Sequence, residues 1–174
     1  MAVHPIWVLQ WLSDDDLAAV TAAIGRAERN TSAEIRVHFD RRCPGDAVVA
    51  AVAVFERLAM HRTRRRNGVL VYVAPADRRM AVVGDSGVHE RLGQRYWEEL
   101  VSALRSHFGQ GQPRQGLLTV VEALGRELGR HFPRGPDDAN ELTDEVSVDP
   151  GPPPPFPGRS SGPHGPGAGP FRTR

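Results

Sequence analysis

The run Val69-Leu70-Val71-Tyr72-Val73 constrains this chain more than any other segment. Five consecutive apolar residues dominated by valine leave no polar side for water, so the run predicts a strand at the centre of a sheet, covered on both faces. Two covering layers must therefore come from the rest of the chain. Glu34-Ile35-Arg36-Val37-His38-Phe39 alternates polar and apolar residues and reads as a strand with its apolar side inward. A helical pattern from Asp46 to about Met60 joins the two strands, which predicts a parallel pair with a right-handed crossover. Ala74-Pro75-Ala76-Asp77-Arg78 is a turn, and Met80-Ala81-Val82-Val83 follows as an antiparallel hairpin partner.

The helices have their own start and stop signals. Ser13-Asp14-Asp15-Asp16 has the Ser-x-x-acid form of a helix start, followed by Leu17, Val20, Ile24 and Ala27 at helical spacing to about residue 30. In the crossover helix Val48, Val52, Phe55 and Ala59 share one face, widened by Ala51 and Val54, and the whole helix is expected to be heavily buried. A short helical stretch, Val88–Leu92, precedes a longer helix over about Gln94–Phe108 with Trp97, Leu100, Val101 and Leu104 inward. Gly109-Gln110-Gly111 supplies a stop with glycine at a left-handed cap, and Pro113 starts a last helix carrying Leu117, Val121, Leu124 and Leu128. The order α-β-α-β-β-α-α predicts an α/β protein, a three-layer α/β/α sandwich around a small mixed sheet.

Residues 1–12 read as an N-terminal extension and 13–133 as the folded domain. From Arg134 to Arg174 the apolar periodicity stops: an acidic connector (Asp137, Asp138, Glu141, Asp144, Glu145, Asp149) gives way to a Pro/Gly-rich tail. Such a stretch buries too little apolar area to offset its ordering entropy, so it is expected to be disordered or loosely attached. Polyproline recognition by a partner at Pro152–Pro157 is the alternative to a solvated end.

All 22 basic residues counted as Lys or Arg are arginine, and the formal net charge is +1. Without lysine there is no P-loop phosphate lysine and no Schiff-base nucleophile, and no nucleotide cofactor is expected. The near-neutral balance gives no bulk attraction to nucleic acid. Cys43 is the single cysteine, which excludes an internal disulfide and fits a reducing compartment. No stretch approaches the roughly 20 apolar residues of a membrane span, so a cytoplasmic location is expected.

The strongest candidate for chemistry is the strand-to-helix turn Gly84-Asp85-Ser86-Gly87. Its glycines permit close backbone approach, N–H groups at a helix start attract anions, and Asp85 offers a ligand to a hard cation. Any tight turn needs the same pattern. Gly-Asp-Ser-Gly echoes the nucleophile segment of chymotrypsin-like proteases, but the α/β context excludes that fold, and Gly87 comes one position too early for the Gly-x-Ser-x-Gly elbow. Cys43 lacks the arginine of a Cys-x5-Arg phosphate loop, since Val49 stands there. Asp14 and Asp16 open a helix and read as caps rather than as a phosphatase nucleophile pair. His38, His61, His89, His107 and His131 are scattered, and His89 alone adjoins the turn. Arg62, Arg64, Arg65 and Arg66 form a basic run that reads as a solvated helix end or as a phosphate contact.

Arg66-Asn67-Gly68-Val69-Leu70-Val71-Tyr72-Val73-Ala74, then Asp77-Arg78-Arg79, then Val82-Val83-Gly84-Asp85 with Gly87, together resemble the TPM domain, the family that includes the thylakoid acid phosphatase. Leu12-Ser13-Asp14, Thr31-Ser32-Ala33-Glu34-Ile35 and the Phe108 to Gly116 segment extend the likeness over about residues 12–132. The resemblance implies an α/β/α sandwich, a calcium or similar cation on acidic loop residues, and weak phosphatase activity. Carried onto this chain, it implies Asp77 and Asp85 as ligands to Ca²⁺ or Mg²⁺. Asp85 and His89 are then the catalytic candidates, and Gly84, Ser86, Gly87, Arg65 and Arg66 the anion-binding set. A further aspartate of the pattern has no counterpart in Arg91-Leu92-Gly93-Gln94. One cation bridges Asp77 and Asp85 only if their carboxylates lie within roughly 8 Å. The partner expected on this reading is a phosphorylated small molecule. The alternative is a non-catalytic interaction domain whose basic loop or tail binds a protein.

Overall fold

A computed structural model describes residues 4–150. In chain order they form α1 (Ile6–Leu9), α2 (Asp14–Glu28), β1 (Glu34–Phe39), α3 (Ala47–Arg57), β2 (Gly68–Ala74), β3 (Arg79–Gly84), α4 (Ser86–Gly109), α5 (Pro113–His131) and β4 (Ser147–Val148). The sheet order is β3-β2-β1-β4, with β2 parallel to β1 and antiparallel to β3. All seven residues of β2 are buried. Val69, Val71 and Val73 enter a core shared with α2, α4 and α5, whereas Leu70, Tyr72 and Ala74 enter a smaller one under α3. The three-layer sandwich is therefore the reason that the β2 run carries no polar alternation.

Local signals set the helix ends. Ser13 and Asp16 form a reciprocal capping box, and Asp46 Oδ1 accepts from the backbone N–H groups of Val48 and Val49. Gly93, at φ 76° and ψ 166°, breaks α4 into two helical pieces, as its left-handed φ is one that L side chains rarely adopt. Gly111 takes a left-handed φ of 70° just before α5.

The rotation of α3 differs from the expected one. Ala47, Ala51, Val54 and Phe55 face the sheet, while Val48, Val49 and Val52 are 50%, 69% and 44% exposed. Nearly every position of this helix is apolar, so no polar stripe fixes its rotation in the sequence. The small Ala47 and Ala51 decide it by letting the helix approach the sheet closely. Enlarging Ala51 to leucine is expected to cost about 1–3 kcal/mol by overpacking. Val49→Thr on the open face is expected to stay within about 0.5 kcal/mol, both read from urea unfolding midpoints.

The second difference concerns the acidic connector, expected to be loosely attached. Up to Pro150 it is a strap bound to the folded body, and residues 151–174, with the proline-rich run, lie outside the described residues. β4 pairs in parallel with β1, matching Ser147 to His38 and Val148 to Phe39. The Glu34 carboxylate accepts from the N–H groups of Glu141 (2.7 Å) and Leu142 (3.3 Å), and Arg134 donates to the Glu28 carbonyl at 2.8 Å. Val146 is buried in the larger core. The polar side chains of β1 recruit the strap: Glu34, Arg36 and His38 are all buried, because the strap covers the face that the alternation left for water. Among the described residues no helix is long and apolar enough to cross a membrane.

Candidate functional site

Asp77 and Asp85 are not brought together. Asp77 lies in the turn before β3 and Asp85 immediately follows it, and the 6 residues of β3 span about 20 Å. A single ion cannot bridge them. Each carboxylate has its own surroundings. Asp77 accepts from the Cys43 N–H at 2.7 Å and from Arg42 Nη1 at 3.0 Å, which fastens the β1–α3 loop to the hairpin turn.

Asp85 is the N-cap of α4, and its side chain is only 4% exposed. Among the described residues all of its donors converge on one oxygen: Ser86 N–H at 2.7 Å, Ser86 Oγ at 3.4 Å, Arg66 Nε at 3.0 Å and Arg66 Nη2 at 2.9 Å all meet Oδ1. Oδ2 is buried and has no hydrogen-bond partner among the described residues. An unsatisfied buried carboxylate oxygen carries a desolvation cost and calls for an explanation. Arg66, whose guanidinium is about half exposed, also sits in the left-handed region at φ 52°. A non-glycine residue held there stores about 1–3 kcal/mol of strain, which surrounding structure must sustain. Asp85, Arg66, Ser86, Gly84, His61 and Glu56 line a cleft of about 530 Å³ between the C-terminal half of α3 and the start of α4.

The two glycines of the turn serve packing inside the protein. A Cβ on Gly84 would stand 2.7 Å from the Trp97 ring, and one on Gly87 would stand 2.7 Å from the carbonyl oxygens of both Arg65 and Arg66. The N–H groups at the start of α4 are also engaged: Ser86 with Asp85 Oδ1, Gly87 with the Arg66 carbonyl, Val88 with the Asp85 carbonyl. No free donor of that helix end remains for an anion, so the backbone part of the expected anion site is absent. The neighbouring arginines diverge. Arg65 donates to Ser32 and lines a different cleft with Arg64, Asp137 and Asp138. His89 Nδ1 accepts from Trp97 Nε1 at 3.0 Å, and His89 is not among the residues lining the Asp85 cleft.

A second cluster, missed from the sequence, occupies the carboxyl end of β1. Asp40 accepts from Tyr72 OH at 2.8 Å and hydrogen-bonds His38 Nε2 at 2.8 Å, while His38 Nδ1 meets Ser147 Oγ at 2.8 Å. Burial alone would raise the Asp40 carboxyl, but the hydrogen bonds from His38 and Tyr72 outweigh it and hold the group below its ordinary range. Burial, then the bond to Asp40, drives the Tyr72 phenol the opposite way, so it stays protonated. The spacing His38-x-Asp40 at a strand end was the available signal for half of this cluster. Ser147 gave none.

Comparison with known proteins places the fold. The family model for the TPM domain matches residues 9–127. The NMR structure of the BA42 protein from the psychrophilic bacterium Bizionia argentinensis is similar at 36% identity and a TM-score of 0.74, covering 80% of this chain and 96% of that one. The N-terminal domain of the cg2496 protein from Corynebacterium glutamicum shares the fold at 16% identity and a TM-score of 0.57, covering 75% and 82%. No curated protein matches. With a family model spanning most of the folded part, and a structure of 36% identity over most of both chains, this chain belongs to the TPM domain family.

Proposed function

We propose that the cleft between α3 and α4 is the working site of this domain and that it binds a phosphomonoester, with weak hydrolysis as the accompanying activity. The observation that carries the reading is Asp85 Oδ2, a buried carboxylate oxygen without a partner, beside the half-exposed guanidinium of Arg66. Arg66 and His61 receive the phosphoryl oxygens and stabilise their charge, and Asp85 Oδ2 accepts the hydrogen of a water or a ligand hydroxyl. The partner is thus a phosphorylated small molecule.

A cation held by the protein alone does not fit. Among the described residues no three His, Cys, Asp or Glu side chains are grouped to hold a metal. Asp85 and Glu56 in the cleft suit Mg²⁺, which is held by one or two carboxylates together with a ligand's phosphate, better than a Ca²⁺ cage of six to eight oxygens. Bound that way, the ion would neutralise phosphoryl charge.

The exposed Val48, Val49 and Val52 on the same side of the molecule support the second reading, a protein-interaction surface. Hydrolysis of a generic phosphomonoester, with and without Mg²⁺, separates the two. The wild-type rate is expected to exceed that of Asp85→Asn and Arg66→Ala by about 10-fold or more. Equal rates for all three folded proteins would remove the catalytic part and leave the interaction reading.

A further inference from the structure

Ser147, His38 and Asp40 stand in line on the α3 face of the sheet, at the carboxyl end of β1, whereas the α3–α4 cleft lies at the other end of that face. Ser147 Oγ lies 2.8 Å from His38 Nδ1, and His38 Nε2 lies 2.8 Å from Asp40 Oδ1. The imidazole is 1% exposed and stacked on Tyr72 at 6.2 Å, so its orientation is fixed. With Asp40 ionised, Nε2 carries the proton and donates it to the carboxylate, which leaves Nδ1 as the acceptor for the serine hydroxyl. Tyr72 OH holds the other Asp40 oxygen, and Arg57 Nη2, 3.4 Å from His38 Nε2, adds positive charge beside the carboxylate. Among the described residues the other acceptor near Ser147 Oγ is the Val37 carbonyl, at a longer 3.3 Å.

Ser147 is partly exposed, and among the described residues β4 is the outermost strand on its side of the sheet. Asp149 N–H points inward to the Phe39 carbonyl at 2.8 Å. By strand alternation the Val148 N–H points outward, next to the serine that precedes it. A nucleophile with a bound base, an oriented acid behind the base, and a backbone donor one residue on are the parts of an acyl-transfer site.

We propose that Ser147 is the nucleophile of a second site, with His38 as its general base and Asp40 as the residue that positions the base, acting on small carboxylic esters with good leaving groups. Ser147 Oγ forms a bond to the acyl carbon as its proton passes to His38 Nδ1, and the Val148 N–H receives the developing oxyanion. The bond to the leaving oxygen breaks, and that oxygen takes the proton from Nδ1. Water repeats the sequence on the acyl-serine and releases the acid.

The test is covalent. The full chain is treated with an alkyl fluorophosphonate, in which Ser147 Oγ displaces fluoride from phosphorus, and the adduct is located by peptide mass spectrometry. One adduct on Ser147 is expected, forming at least about 100-fold faster than on the exposed Ser102, and absent in Ser147→Ala. His38→Gln is expected to slow labelling at least about 100-fold and Asp40→Asn at least about 10-fold, in variants whose near-ultraviolet circular dichroism matches the parent. Labelling of Ser147 no faster than of Ser102, or labelling unchanged in folded His38→Gln or Asp40→Asn, would overturn the proposal. A network that only stitches β4 to β1 gives that second pattern.

Discussion

Replacing Gly87 by alanine is expected to destabilise the protein by about 3 kcal/mol, at the upper end of overpacking costs. The new Cβ would stand 2.7 Å from two backbone carbonyl oxygens, those of Arg65 and Arg66, and backbone cannot swing aside as a side chain can. For a domain of this size the loss corresponds to a fall in Tm of roughly 6–12 °C. Gly45→Ala is the control, because nothing lies within 4 Å of its added Cβ. The comparison bears directly on the site. The same clash would push Arg66 away from Asp85, so the variant should also lose whatever affinity the cleft has. A Gly87→Ala protein as stable as Gly45→Ala would mean that the close approach of Arg66 to the turn is not part of the fold.

A second large effect comes from Glu28, which is 2% exposed on α2. Its carboxyl is pushed up to about 9, chiefly by burial, against the lowering effect of the Ile35 N–H and with further upward pressure from Asp144 and Glu34. Burial raises the Glu34 carboxyl as well. The folded protein therefore binds more protons than the unfolded chain between about pH 4.5 and pH 9, so stability falls as pH rises through that window. Glu28→Gln keeps an acceptor for the Ile35 N–H and needs no proton. It is expected to stabilise the protein by up to about 3 kcal/mol at pH 7, with no gain near pH 4. Urea unfolding at pH 4, 7 and 9 measures both curves. If the two proteins run parallel with pH, the Glu28 carboxyl is not the group that titrates on folding.

Those carboxyls also explain what the sequence could and could not reveal. The β2 run, the stripe of Leu117, Val121, Leu124 and Leu128 in α5, and the Ser13–Asp16 cap are local patterns with one physical outcome each, and the structure follows them. The rotation of α3 was not legible, since an all-apolar helix has no polar side to turn outward. The strap was not legible either. Its own residues lack apolar periodicity, and it is held by one side chain far back in the chain, Glu34, which receives the N–H groups of Glu141 and Leu142, 107 and 108 positions on.

The candidate site was legible in part. Asp85 and Arg66 meet, although the basic run itself read only as a solvated helix end or a phosphate contact. Gly84 and Gly87 had two physical explanations that look identical in sequence, close approach to a ligand and close approach to the protein's own Trp97 and Arg66, and the packing contacts favour the second. Asp77 was paired with Asp85 because both fall on acidic positions that the resemblance to the TPM domain implies as ligands. A six-residue strand separates them, at opposite ends of the sheet. Ser147 lies 109 residues from His38, beyond the reach of any local pattern.

The proposal that this TPM domain receives a phosphomonoester beside Asp85 is tested most directly by nuclear magnetic resonance of the amide N–H groups during titration with phenyl phosphate and Mg²⁺. The cleft and the Asp77 turn lie at opposite ends of β3, about 20 Å apart, so the location of the response decides. Saturable shifts at His61, Arg66, Gly84 and Ser86, with Cys43 and Asp77 unmoved, are the predicted result. Shifts centred on Cys43 and Asp77, or none at either end, would contradict it.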